Sequence, residues 1–228
     1  MHFSWFQFIP GLQNLPTHVA TAGFGTLLII LISLIAYSVA GKPEEALIPS
    51  QGFSLRGLFE VIVESLTGLV DSVMGHGNER MVPIIGSMFL YILLNNLLGL
   101  FPGFSPATDN LNTTLACGVT IFLLYNYEGV RSNGVGYFKH FLGPLIWLAP
   151  IMLPIELISH LVRPMSLGLR LFGNMTGDHT VLAIFLNLAP VGVPMIFYAL
   201  GLFVCFVQAF VFSLLSMVYI SLATAHDH

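Results

Sequence analysis

"ELISHLVRPMSLGLRLFGNMTGD", residues 156–178, lies inside an apolar tract and yet carries a row of regularly spaced polar side chains. Glu156, His160, Arg163, Ser166, Arg170, Asn174 and Asp178 follow one another at intervals of 4, 3, 3, 4, 4 and 4 residues. That mean of about 3.7 is close to the helical repeat, so one face of a helix collects all of them. Arginine cannot neutralise itself by losing a proton. At the centre of a bilayer it costs about 2.5–3.5 kcal/mol even on the most forgiving insertion scale. A membrane helix with such a face must turn it to protein or to water, and that requirement sets the fold expected of the whole chain.

The surroundings are those of a membrane protein. Of the 228 residues 56% are hydrophobic and only 8% charged, against roughly 25% charged in an ordinary soluble domain. Residues 21–40 carry no charge over the roughly twenty residues a helix needs to cross the hydrocarbon core. Residues 81–101 and 113–127 are two further uncharged spans, the second short unless it starts near Asn110. Residues 141–223 hold four charges, Glu156, Arg163, Arg170 and Asp178. Residues 1–20 contain no Lys or Arg and so lack the basic region of a secretory signal peptide. A net charge of −4 without a basic patch gives no footing for nucleic acid. Cys117 and Cys205 fall in apolar spans and suggest neither a disulfide framework nor a metal site.

Basic residues orient the chain. Lys42, Arg56 and Arg80 flank the segment between the first two spans, and Arg131 and Lys139 follow the third, whereas the 102–112 loop has Asp109 and no basic residue. Segments 41–80 and 128–140 are therefore expected on the cytoplasmic side, with the N-terminus and the 102–112 loop outside. Residues 53–75 read as an amphipathic helix, with Glu60, Glu64 and Asp71 on one side and Leu55, Leu58, Phe59, Val63, Leu66 and Val70 on the other. Such a helix lies on the cytoplasmic membrane surface or packs on another subunit. Prolines 102 and 106 turn the chain between spans two and three into an antiparallel hairpin. Beyond Pro144, two apolar arms meet at "APVGVP" (189–194). Both exceed what an upright helix requires, so they tilt strongly or break. The expected class is an all-α integral membrane protein with a long, tilted C-terminal hairpin over 141–223.

Two readings of the polar face stay open at this level. Arg163 and Arg170 are held by Glu156 and Asp178 in static pairs that fix packing, or the face lines an ion pathway on which Arg170 acts on a partner's carboxylate. Gly168, Gly173 and Gly177 beside Arg170 favour close approach by a partner helix. Gln208, alone among Phe, Val and Leu in the last arm, bonds across helices or helps orient the Arg170 guanidinium.

"PMSLGLRLFGNM", followed some forty residues later by "QAFVFSLLSMVYIS", resembles subunit a of the F-type ATP synthase membrane sector, and "NLLGLFPG" (96–103) and "PATDNLNTTLA" (106–116) are similar to that family's hairpin. The resemblance is specific from about residue 80 onward. It implies a long hairpin inclined against a rotating c-ring, with Arg170 as the arginine facing each ring carboxylate. Asn174 and Gln208 become its polar neighbours and Ser166 the small residue one turn away. The resemblance also implies an outer half-channel near Asp178, His179 and Asn96 and a cytoplasmic one near Glu156 and His160. Implied partners are the c-subunit ring, peripheral-stalk b subunits and membrane lipid, in a bacterial inner membrane. The subunit it implies is non-catalytic, holding no cofactor, metal or nucleic acid, and no G-x-x-x-x-G-K-[ST] nucleotide motif occurs. Three positions depart from the family pattern: Asp178 stands where Gly is usual, Gly201 where His or Glu is frequent, and Gly99 where some relatives have an acid. An autonomous secondary transporter is the alternative. It predicts inverted-repeat hydropathy, which the sequence lacks.

Overall fold

Where the sequence is apolar and free of breakers, it is helical. The computed structural model describes residues 15–40, 55–101, 103–134, 136–137, 149–188 and 192–225. Among the described residues there are six α-helices and no strand: α1 (Thr17–Ala40), α2 (Leu55–Met74), α3 (Val82–Leu98), α4 (Leu111–Asn133), α5 (Ala149–Leu188) and α6 (Val193–Thr224). This is the all-α architecture expected. Lys42, Lys139, the start of the 141–223 tract and the turn residues 189–191 lie outside the described residues.

Helix α1 starts behind Pro16, whose carbonyl accepts the amide hydrogens of Val19 and Ala20 at 3.0 and 3.1 Å. It exposes Leu27, Ile30, Leu31, Leu34 and Ile35, an apolar surface suited to lipid, and sets Gly25 against the buried Asn95 of α3. Helix α2 is amphipathic, burying Leu66 and Val70 with Ile62 and Leu69 beside them. Val63 is 55% exposed and stands one residue, and so about 100° of helix rotation, from Ile62. The chain reverses between α2 and α3 at Gly75 and Gly77, with φ of +80° and +95°, a conformation that glycine adopts without strain. Pro83 lies in the first turn of α3, where its missing N–H costs nothing. Helix α4 begins at Leu111 because the Asn110 side chain accepts the amide hydrogen of Asn112 at 3.0 Å.

Helices α3 to α6 form the core. Ile85, Ile92, Ile121, Tyr125, Leu167, Leu171, Met175, Phe212, Met217 and Ile220 are at most 2% exposed. Helix α5 has 40 residues and α6 has 32, giving lengths of about 60 and 48 Å, against about 30 Å of hydrocarbon. By length and composition α1, α3 with its preceding turn, and α6 are each capable of crossing a membrane. Helix α5 is not broken by its prolines. Pro164 lacks the N–H that would bond the carbonyl of His160, and the Tyr125 hydroxyl donates to that carbonyl instead, at 3.3 Å. The last carbonyls of α6 are satisfied in the same manner: Asn133 Nδ2 donates to those of Ala223 and Ala225 at 3.1 and 3.3 Å.

Candidate functional site

The crossing of α4 and α5 decides which edge of the polar face turns inward. Gly118 lies directly against the Pro164 carbonyl oxygen, leaving no room for a side chain. Gly168 faces the Thr114 carbonyl oxygen and Leu115, where an added Cβ would approach to 3.0 Å. Gly168 is therefore consumed by packing within this chain, not by a partner. With Leu167, Leu171 and Met175 buried, His160 is carried inside to 7% exposure. Its Nε2 lies 2.9 Å from Asn126 Oδ1. That amide is oriented by its own donation to the Phe122 carbonyl at 2.7 Å, so its oxygen accepts and His160 Nε2 donates. The Tyr137 hydroxyl also donates to Asn126 Oδ1, at 3.0 Å. Burial pushes the Tyr137 hydroxyl above its ordinary pKa, against a smaller opposing pull from Arg163, and it stays a donor. The Arg163 guanidinium lies 5.6 Å from the centroid of the Tyr219 ring, a cation–π distance.

On the other edge the helix is open. Arg170, Gly173, Asn174 and Gly177 are exposed. Among the described residues Arg170 makes no ion pair or hydrogen bond, and neither do Glu156 and Asp178 pair with either arginine. The static-pair reading is thus overturned. Ser166 Oγ turns back to donate to the Arg163 carbonyl at 2.9 Å. Asn174 Nδ2 donates to Gln208 Oε1 at 2.6 Å, so Gln208 is engaged by Asn174 while the guanidinium remains free. A Cβ added at Gly173 or Gly177 would meet nothing within 4 Å. The result is a flat strip beside an unpaired cation. It borders a cavity of about 370 Å³ lined by Gly173, Asn174, Gly177, Asp178, Phe203, Val204, Val207 and Gln208.

A larger cavity, about 760 Å³, opens between the turn after α3 and the far half of the α5–α6 hairpin, with Asp109, Thr176, His179, Thr180, Asn187 and Tyr198 among its lining residues. Adjacent residues thus serve different spaces: His179 lines the larger cavity and Asp178 the smaller one. Asp178 Oδ2 and His179 Nε2 are both buried without a hydrogen-bond partner. Both residues border cavities, so water can supply the partners that the described residues do not. The imidazole occupies space that Gly99 leaves free, since a Cβ there would lie 2.8 Å from His179 Nε2. Asn96 lines neither of these cavities; it is buried and its Oδ1 accepts from Thr108 Oγ1 at 2.7 Å. Glu156 and His160 lie on the opposite side of Arg170, Glu156 half-buried and unpaired.

Sequence reasoning missed three groups. Asp109 Oδ1 accepts from Thr176 Oγ1 at 2.5 Å across 67 residues, Thr108 holds Asn96, and Glu128, 4% exposed, lies 3.5 Å from Arg80 and 3.6 Å from Arg131. The i, i+3 spacing of Glu128 and Arg131 was the one available signal; the others are long-range pairings with none.

The family model described as ATP synthase A chain matches residues 23–221. The chain belongs to this family. Members similar to it include the ATP synthase subunit a of Bdellovibrio bacteriovorus, 55% identical over all of both chains. That of Geobacter sp. strain M21 is 46% identical over 88% of this chain and 86% of its own. That of Geobacter sulfurreducens is 45% identical over 92% and 93%. Family membership thus extends over nearly the whole chain, including α1 and α2, where the sequence motifs were weakest.

Proposed function

We propose that this chain is the proton-translocating stator subunit of an F-type ATP synthase, with the open face of α5 set against a rotating c-ring. The observation that carries the reading is Arg170, exposed, unpaired and bordered by Gly173 and Gly177. Asp178 lies about 12 Å along the helix to one side and Glu156 about 21 Å to the other. The two acids thus flank the arginine on opposite sides along one helix, as two half-channels separated by it require. The secondary-transporter alternative gains no support from relatives that match along the full chain.

A proton entering from outside by way of His179 and Asp178 neutralises the ring carboxylate that has reached the smaller cavity. The neutral site then turns into lipid, because the desolvation cost of its charge is gone. After nearly a full turn it meets the cytoplasmic half-channel near Glu156 and releases its proton. Arg170 favours the ionised carboxylate by opposite charge, and its permanent charge opposes direct passage of protons between the half-channels. Each proton crossing 100 mV contributes about 2.3 kcal/mol, so several are needed per ATP made elsewhere in the complex. Helices α1 and α2 contribute the contact with the peripheral-stalk b subunits, the chain lies in a bacterial inner membrane, and the N-terminus is outside.

Disulfide cross-linking from Gly173→Cys tests this placement. The native Cys117 and Cys205 are 5% and 1% exposed, so background reaction is low. With a second cysteine beside the ring carboxylate, oxidised membranes should yield a cross-linked pair of this chain and a c-subunit. Absence of that product, while a cysteine on the outward face of α1 reacts with the ring, would refute the placement.

A further inference from the structure

His179 needs a source of protons, and among the described residues lining the larger cavity Asp109 is the only carboxylate. It ends the short helical turn Ala107–Asp109 and is half-buried at the cavity wall. Its Oδ1 accepts from Thr176 Oγ1 at 2.5 Å. Thr176 and His179 are three residues apart, so they share a face of α5. Asp109 and Asp178 are the two carboxylates within electrostatic reach of His179. Tyr198 is the other ionisable side chain on the cavity wall. A space of about 760 Å³ with Asp109, Thr176, His179 and Tyr198 on its wall accommodates a chain of waters, each of which takes about 30 Å³.

Given the proposed function, we infer that Asp109 is the proton-collecting carboxylate of the outer half-channel. Its carboxylate takes a proton from external water, and the carboxylic acid passes it through cavity water to a neutral His179. The imidazolium gives up its other proton to the Asp178 carboxylate, from which the ring carboxylate takes it. The two carboxylates return to their starting state, the imidazole is left as its other tautomer and resets by a ring flip, and one proton has moved inward. Thr176 is a positioning residue: its hydroxyl aims Asp109 at the cavity and leaves the second carboxylate oxygen for proton exchange. A side chain at residue 99 would press on both the imidazole and the Pro106 ring.

Asp109→Asn separates this role from mere tethering, because the amide oxygen still accepts from Thr176 but exchanges no proton. The measurement is passive, potential-driven proton flux through vesicles stripped of the catalytic sector, normalised to assembled complex. Asp109→Asn should slow flux at least about tenfold, at the lower margin of general acid–base effects because cavity water replaces part of the relay. Asp109→Glu should restore it to within about threefold of the parent. Flux within about twofold of the parent for Asp109→Asn overturns the inference, and so does a Glu variant as slow as the Asn variant. Arg170→Ala membranes that keep the catalytic sector, assayed for ATP synthesis, keep the two readings apart. Retained ATP synthesis in Arg170→Ala defeats the proposed function, whereas a silent Asp109→Asn with a disabled Arg170→Ala defeats the collecting role alone.

Discussion

Gly118→Ala perturbs function from a position that touches no proton. The Gly118 backbone lies against the carbonyl oxygen of Pro164 closely enough that a Cβ has no place. Neither side has a flexible chain end that can move aside, so ordinary contact requires α4 and α5 to separate by on the order of 1 Å. Overpacking of this kind costs about 1–3 kcal/mol. Arg170 lies six residues beyond Pro164, about 9 Å along α5, and shifts with the helix. A misplacement of about 1 Å at a reacting group reduces rate by up to about a hundredfold. The variant should therefore assemble in reduced yield, melt earlier in detergent, and lose most of its ATP-driven proton pumping per assembled complex. Gly173→Ala is the internal control: its Cβ meets nothing within 4 Å, and melting of the isolated subunit should stay within about 0.5 kcal/mol of the parent. A Gly118→Ala variant with parental melting and parental pumping would refute the claim that this crossing positions Arg170.

Other positions give sharper separations. Gly177→Leu should leave the melting of the isolated subunit unchanged while abolishing ATP synthesis in the assembled complex; unaffected synthesis would mean that no partner packs there. Gly99→Val should press on the Pro106 ring and on His179 and slow passive proton flux by about tenfold or more, and parental flux would show that the imidazole's place beside residue 99 is immaterial. Near the start of α3 and the end of α4, Arg80→Ala with Arg131→Ala strands the buried Glu128 and should cost about 3–5 kcal/mol in unfolding measurements. Glu128→Gln leaves two half-exposed arginines and should cost under about 1 kcal/mol; equal losses would remove the asymmetry on which this account of Glu128 rests.

The helical spacing of residues 156–178 was sufficient to place the polar face on one helix, since an arc of residues follows from period alone. Period does not say which edge of that arc meets a neighbour. His160 went inside and Arg170 outside because Gly118 and Gly168 fix the α4–α5 crossing, and Gly118 is remote in sequence from the face it orients. The same ignorance of the crossing grouped Gly168 with Gly173 and Gly177, although the first packs inward and the other two face open space. Asp109 was legible only as a loop acid that helped orient the chain; its bond to Thr176 spans 67 residues and leaves no local trace. The departure at "GDH" was legible, but its meaning required the two cavities, which place Asp178 and His179 in different spaces.

The central claim is that Arg170 both holds the ring carboxylate and keeps the half-channels apart. Its most direct test is ATP synthesis and passive proton flux measured on the same Arg170→Ala membranes, normalised to assembled complex. The account predicts that proton-driven synthesis is lost while passive flux persists, because the conducting paths remain and the barrier between them is gone. Synthesis at the parental rate would contradict it.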